Sequence, residues 1–278
     1  MPELPEVETV CRALRAVLEG QSFIKIHCNR PDLRYPLPLD MEGQLKERII
    51  TCVRRRAKYV LIDFNHDLTL IWHLGMSGRV LIDSTPASDA KPGVHDHVIF
   101  LTSHNHKITF KDPRRFGFLL LKPTKQFENL NPFCSLGFEP LGDTSLMLSK
   151  FHTLLMQRAI SIKSALLNQN IIAGLGNIYA SEALFQARIS PLRLTNTLSL
   201  EDTKILLKEI QDVLTRAIPA GGSTLRDHVQ PDGNTGYFQH SFRVYGRENQ
   251  LCELCCVTAI TKINQNGRAT YYCTKCQK

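Results

Sequence analysis

Cys252-Glu253-Leu254-Cys255, followed after 17 residues by Cys273-Thr274-Lys275-Cys276, sets the architecture at the end of the chain. Two Cys-x2-Cys pairs at this separation have the spacing of a zinc ribbon. Each pair makes a knuckle, a β-hairpin joins the knuckles, and four thiolates surround one tetrahedral Zn2+. With every coordination position filled by protein the metal is structural, and a ribbon this small draws its folding energy from metal binding. Cys256 is a competing ligand that the two-residue spacing disfavours. Of the nine cysteines, Cys11, Cys28, Cys52 and Cys134 lie among apolar neighbours and read as buried thiols. An odd count without an export signal argues against a disulfide framework.

Upstream of the ribbon, which begins near Arg243, Gly221–Gly236 is glycine-rich and polar and reads as a loop, expected to be mobile. Before it the apolar period is helical. Leu200–Ile218 carries Ile205, Leu206, Ile210, Val213, Leu214 and Ala217 on one side, with Ser199 and Asp202 placed as a capping box. Gly176–Ala187 and Phe151–Asn168 are predicted helices, and the Pro- and Gly-rich stretch 122–149 is a connector. The first half of the chain instead reads as short strands at Ser22–Cys28, Tyr59–Phe64, Thr69–Leu74, Arg79–Ile82, His97–Leu101, Lys107–Phe110 and Phe118–Leu121. Close spacing of many short strands suggests a β-sandwich or barrel. A helix over Pro5–Glu19 precedes them, with Val7, Val10, Leu14, Val17 and Leu18 on its apolar face.

A chain of 278 residues accommodates two domains. No apolar run is long enough to cross a membrane and the N-terminus has no secretory pattern, so the expected location is cytoplasmic. The net charge of +8 is unevenly spread. Arg54, Arg55, Arg56 and Lys58 lie within five residues, and Phe242–Lys278 holds six Lys or Arg against two Glu. Such clusters either attract phosphate or form a solvated face. His95 with His97, and His104 with His106, alternate as metal ligands on a strand would. No acidic or thiol cluster completes a shell, which favours ordinary surface histidines.

The opening Pro2-Glu3-Leu4-Pro5-Glu6-Val7-Glu8-Thr9 carries chemistry of its own. With Met1 removed, Pro2 presents a secondary amine. An α-amino group titrates near pH 8 against about 10.4 for lysine, so more of it is neutral and nucleophilic at neutral pH. The helix that follows further disfavours the ammonium form, and Glu3 and Glu6 lie close enough to handle protons. An amine nucleophile forms a Schiff base with a carbonyl such as that of an opened deoxyribose.

This opening resembles the N-terminus of the formamidopyrimidine-DNA glycosylase family. So do Arg55-Arg56-Ala57-Lys58-Tyr59, His73-Leu74-Gly75-Met76-Ser77-Gly78, Asp112-Pro113-Arg114-Arg115-Phe116-Gly117, Gly174-Leu175-Gly176-Asn177-Ile178-Tyr179-Ala180-Ser181-Glu182 and Gly267-Arg268-Ala269-Thr270-Tyr271-Tyr272-Cys273. The resemblance spans the chain in order and implies an α+β fold. Residues 1–130 would form a catalytic β-sandwich with an N-terminal helix, and 131–222 a helix–two-turn–helix DNA-binding domain. Residues 223–242 would be a flexible lesion-recognition loop and 243–278 the four-cysteine ribbon holding one structural zinc through Cys252, Cys255, Cys273 and Cys276. A glycine commonly follows the second ribbon cysteine, where this chain has Cys256.

It also implies residue roles. Pro2 attacks C1′ of the damaged nucleotide, Glu3 is the general acid and base of ring opening, and Glu6 supports the N-terminal site. Lys58 and Arg268 hold phosphates at the lesion and assist elimination. His95, Arg158 and Asn177 contact the DNA backbone, although the family often has lysine at position 158. Glu182 faces the active site. Met76, Arg114 and Phe116 enter the duplex on two strand loops and fill the hole left by the extruded base. The implied activity is excision of oxidised purines from double-stranded DNA with β,δ-elimination at the abasic site, by a nucleoid-associated monomer needing no catalytic cofactor. A sister enzyme, endonuclease VIII, prefers oxidised pyrimidines; Leu4 and the Met76, Arg114 and Phe116 set favour the purine enzyme. A non-catalytic damage binder would retain Met1.

Overall fold

In the computed structural model, which describes residues 2–85, 92–223, 231 and 235–278, the chain opens on helix α1 (Leu4–Leu18) and continues into eight strands. These are β1 (Phe23–Cys28), β2 (Ile50–Arg56), β3 (Tyr59–Phe64), β4 (Leu68–His73), β5 (Arg79–Asp83), β6 (Asp96–Thr102), β7 (Lys107–Lys111) and β8 (Phe118–Lys122); a short helix α2 (Met41–Leu45) lies between β1 and β2. They form two four-stranded antiparallel sheets, ordered β1-β6-β7-β5 and β2-β3-β4-β8. Aromatic side chains join the sheets face to face. Trp72 of β4 meets Phe110 of β7 at 5.0 Å and Phe100 of β6 at 5.6 Å, and Phe100 meets Phe23 at 4.8 Å. Val7, Val10, Cys11, Leu14 and Leu18 of α1 seal the same core, so the expected β-sandwich with its N-terminal helix is present.

Two elements escape the sequence pattern. Strand β2 is hidden by its three arginines. Two of them are neutralised inside the fold instead of lining a phosphate surface. Arg54 Nε donates to Asp63 Oδ2 at 2.6 Å while its guanidinium lies 5.1 Å from the Phe127 ring centre. Arg55 Nε donates to Glu8 Oε2 of α1 at 3.0 Å. The predicted helix over Phe151–Asn168 is two helices, α3 (Thr144–Met156) and α4 (Ile162–Leu167). Asp143 caps α3 by accepting from the Ser145 N–H at 2.8 Å, and Ser161 restarts the chain by capping α4. Of the four cysteines expected to be buried, Cys11 is, Cys52 is half-buried, and Cys28 and Cys134 are exposed.

The chain divides into two compact units, one of Met1–Cys134 with Ala220–Tyr237, the other of Ser135–Pro219 with Phe238–Lys278. The second holds α3, α4, α5 (Asn177–Gln186), α6 (Leu200–Ala217) and the hairpin β9 (Thr261–Gln265) and β10 (Arg268–Tyr272). Ser199 and Asp202 make the capping box of α6 that the sequence predicts. The Gly174–Gly176 turn is bracketed by one side chain: Gln169 Oε1 accepts from the Gly174 N–H and its Nε2 donates to the Leu175 carbonyl, both at 2.9 Å. Within this unit the ribbon is anchored on α5. Phe185 packs with Val244, Cys252, Ile260 and Cys273. The lesion-recognition loop expected at 223–242 falls in large part on residues 224–230 and 232–234, outside the described residues.

Candidate active site and DNA-binding surfaces

In the first unit, Pro2, Glu3 and Glu6 are all buried at the start of α1. Glu6 sits where its carboxylate reaches back over the first turn, and its Oε2 accepts from the Glu3 N–H at 2.8 Å. Its other oxygen accepts from the Ser223 N–H at 2.7 Å and from Ser223 Oγ at 3.1 Å. One carboxylate therefore ties the first turn of α1 to Ser223. The close approach depends on Gly222, which lies at φ +70° and whose Cβ, were there one, would stand 2.7 Å from Glu6 Oε1.

Lys58 lies in the tight turn between β2 and β3, where Arg56 pairs with Tyr59, and is only 7% exposed. Arg55 holds that turn against α1. Its Nε is bound to Glu8 and its Nη1 donates to the Ala57 carbonyl, each at 3.0 Å. Arg55, to which the sequence assigns no role of its own, thus ties the turn that bears Lys58 to α1. Nearby, burial pulls the His73 imidazole down to about 4, reinforced by the Lys58 and Arg34 cations. Its Nδ1 accepts from the Gly75 N–H at 3.0 Å, so the neutral ring carries its proton on Nε2.

Met76, Arg114 and Phe116 gather on two loops, β4–β5 and β7–β8. Met76 is 39% and Phe116 41% exposed, and the Arg114 guanidinium lies 4.8 Å from the Phe116 ring centre. With Leu33, Arg34 and His73 they line a cleft of about 730 Å³. The loops touch through Gly75, at φ +66°, where any Cβ would stand 2.4 Å from the Gly117 nitrogen. His95 is half-buried on the approach to β6, and its ring centre is 6.5 Å from that of His97. His97 Nε2 donates to the Asp112 carbonyl at 2.8 Å, and among the described residues neither histidine belongs to a group that could hold a metal ion.

In the second unit, Arg268 is exposed at the hairpin tip. Asn266 and Gly267 form the two-residue turn with φ of +51° and +73°, the Asn-Gly pairing that suits a hairpin's twist. Asn177 reaches the same strand: its Nδ2 donates to the Ala269 carbonyl at 2.8 Å. Lys163, 1% exposed, donates to that carbonyl at 3.1 Å and to Thr270 Oγ1 at 2.8 Å. Asn177 and Arg268 are therefore brought close, and Lys163 is a buried cation beside them that the pattern Ser161–Leu167 does not advertise. Arg158 lies two residues past the end of α3, and its Nη1 donates to the Leu154 carbonyl of that helix at 2.7 Å. Glu182 lies on α5 as its motif predicts. Its buried carboxylate accepts the N–H groups of Arg243, Val244 and Tyr245 at 2.8–3.0 Å and anchors the ribbon.

The ribbon thiols of Cys252, Cys255, Cys273 and Cys276 lie within 4.8 Å of one another, with the pairs 252–276 and 255–273 at 3.8 Å. A tetrahedron with zinc–sulfur bonds of about 2.3 Å has edges of about 3.8 Å, so these residues fit the metal. The N–H groups of Val257 and Thr258 pull the Cys255 thiol down to about 6. Cys256 is excluded as a ligand: it sits at φ +54° and its Sγ is directed to the Glu253 carbonyl at 3.6 Å. That φ is the reason glycine suits this position. Cys256→Gly should raise the melting temperature by a few degrees, from about 1 kcal/mol of relieved strain, at unchanged metal content; thermal melting with elemental analysis checks it, and a lower melting temperature would contradict it.

Residues 1–119 match the family model described as the formamidopyrimidine-DNA glycosylase N-terminal domain, and 136–229 that of the same enzymes' H2TH domain. The chain is 46% identical to the formamidopyrimidine-DNA glycosylase of Roseobacter denitrificans and 45% to that of a Ruegeria species, each over the full length of both chains. The structure resembles that of the MutM (Fpg) protein from Thermus thermophilus at TM-score 0.86 and 36% identity, covering 99% of this chain and 98% of that one. It resembles the Lactococcus lactis Fpg complexed with DNA containing an abasic site at TM-score 0.88 and 33% identity, covering 99% of each chain.

Proposed function

The chain belongs to the formamidopyrimidine-DNA glycosylase family, whose members are DNA-repair glycosylases, and on that premise we propose that it excises oxidised purines such as 8-oxoguanine and formamidopyrimidines from duplex DNA and then cleaves the abasic site. The observation that carries this reading is that Pro2, Glu3, Glu6 and Lys58 are all buried, with Glu6 bonded to the Glu3 N–H and Arg55 tying the turn that bears Lys58 to α1.

The damaged base leaves the stack before C1′ is reachable. The Pro2 nitrogen, free once Met1 is removed, forms a bond to C1′ as the base departs with its bonding electron pair and takes up a proton. Glu3 protonates the ring oxygen, the sugar opens, and a C1′ iminium remains on Pro2. The iminium acidifies C2′; loss of that proton expels the 3′ phosphate, and a second elimination expels the 5′ phosphate. Lys58 and Arg268 stabilise the departing phosphates, and Asn177, Arg158 and His95 hold the backbone. Hydrolysis of the imine returns Pro2. Residues 1–130 are the catalytic domain, 131–222 the DNA-binding domain, 223–242 the lesion loop and 243–278 a zinc ribbon, in a protein acting as a cytoplasmic monomer.

Met76 and Phe116, apolar and exposed, suit wedging between base steps. Arg114 carries only donors. An orphaned cytosine offers it two adjacent acceptors, O2 and N3, whereas adenine places a donor beside N1. The difference is worth roughly 1–3 kcal/mol, or about 10- to 100-fold. With 8-oxoguanine duplexes and borohydride, the protein should form one covalent adduct, and single-turnover excision should be faster opposite cytosine by that ratio. Equal rates opposite cytosine and adenine would remove Arg114 as the reader, and absence of any adduct would remove the Schiff base.

A further inference from the structure

We infer that Asp112 is a positioning residue that locks the Met76 loop and the Arg114 loop into one body and so sets discrimination of the partner base; the inference rests on the reading of Arg114 given above. Asp112 follows β7 and is 0% exposed. Its Oδ1 accepts from Ser77 Oγ of the other loop at 2.6 Å and from the Arg114 N–H at 3.3 Å. Its Oδ2 accepts from the Gly117 N–H at 2.8 Å. Ser77 Oγ in turn accepts from the Arg114 N–H at 3.2 Å. The Asp112 backbone is held as well, its N–H donating to the His95 carbonyl at 3.1 Å and its carbonyl accepting from His97.

A buried carboxylate needs several donors to offset its lost hydration, so this arrangement of the two loops is stable only as a whole. The tips beyond it are open, with Met76, Arg114, Arg115 and Phe116 all exposed. The direction in which Arg114 leaves the backbone is therefore set by a carboxylate bonded to its own N–H and to the loop bearing Met76. The hydrogen bonds of this network run to Ser77, Arg114, Gly117, His95 and His97, so its effect falls first on how Arg114 is presented to the partner base.

Asp112→Asn keeps the shape but replaces one acceptor by an NH2 group, which faces a backbone N–H donor to donor. The ratio of single-turnover excision opposite cytosine to that opposite adenine should fall at least about fivefold, whereas a merely destabilised fold would lower both rates together. Ser77→Ala removes the bonds of Ser77 Oγ to Asp112 and from the Arg114 N–H but leaves the carboxylate its bonds to the Arg114 and Gly117 N–H groups, so it should lower the ratio by a smaller factor, and the double variant should do no more than Asp112→Asn alone. Arg114→Ala is measured in parallel. A ratio lost in Arg114→Ala but kept in Asp112→Asn overturns the positioning role; a ratio kept in Arg114→Ala overturns the reading of Arg114 and the inference with it. If Asp112→Asn fails to fold, an unchanged ratio in Ser77→Ala overturns the inference.

Discussion

A chain extended by one residue ahead of Pro2 should lose borohydride-trapped adduct at least about 100-fold, while its affinity for abasic-site DNA stays within a few-fold. The extension converts the Pro2 nitrogen into a tertiary amide, whose lone pair is delocalised and forms no iminium. The added residue's own α-amine is displaced by one residue from the Pro2 position, and lysine's share of neutral amine at neutral pH is smaller by a few hundredfold, from pKa values of about 10.4 against about 8. Lys58, 7% exposed and next in line, is therefore expected to contribute only a residual signal. Pro2→Gly, which restores an amine once Met1 is removed, should recover part of the trapping, with the cross-link mapped to residue 2 by peptide mass. DNA affinity is expected to be spared because the proposed backbone contacts Arg268, Asn177 and Arg158 lie far from Pro2 in the sequence. Full trapping by the extended chain would show that another amine carries the chemistry.

What the sequence reveals and conceals follows from how far apart partners lie. The cysteine pairs and the capping box of α6 are local patterns, and the structure has both. Helix α1 begins one residue before the position predicted from Pro5, because the Glu6 carboxylate extends the capped turn back to Glu3. Strand β2 reads as a charge cluster because Asp63 and Glu8, which neutralise Arg54 and Arg55, lie 9 and 47 residues away. Glu182 illustrates the same limit within the site. Its three backbone donors lie 61 to 63 residues further on, so no local pattern reveals that it anchors the start of the ribbon. Asp112 and Ser77 are 35 residues apart, so two separate motifs conceal one hydrogen-bonded clasp. Cys256, which the spacing already disfavours as a ligand, is excluded by its backbone dihedral and the direction of its thiol.

The second large effect is expected at the ribbon. Cys273→Ser should reduce zinc from about one per chain to none and leave the hairpin unfolded, because metal binding supplies about 10–16 kcal/mol in ribbons of this kind. The apolar cluster that remains, Phe185, Val244, Ile260 and the cysteines, is too small to replace that energy. Unfolding removes the turn that presents Arg268, and with it the Ala269 carbonyl on which Asn177 and Lys163 converge. Lys163 then loses two acceptors, at 2.8 and 3.1 Å, in a buried position, so the damage extends into α4. Helix α6 depends on its own capping box and apolar face, so most of the helical circular dichroism should persist. The slope of log affinity against log salt should become shallower by about 1 for each phosphate the protein no longer neutralises, and Arg268→Ala, which keeps the ribbon folded, should reproduce one such step. Cys256→Ser is the matched control and should keep its metal, since that thiol is turned to the Glu253 carbonyl. A zinc-free Cys273→Ser protein that binds lesion DNA with unchanged affinity and slope would show that the ribbon does not grip DNA.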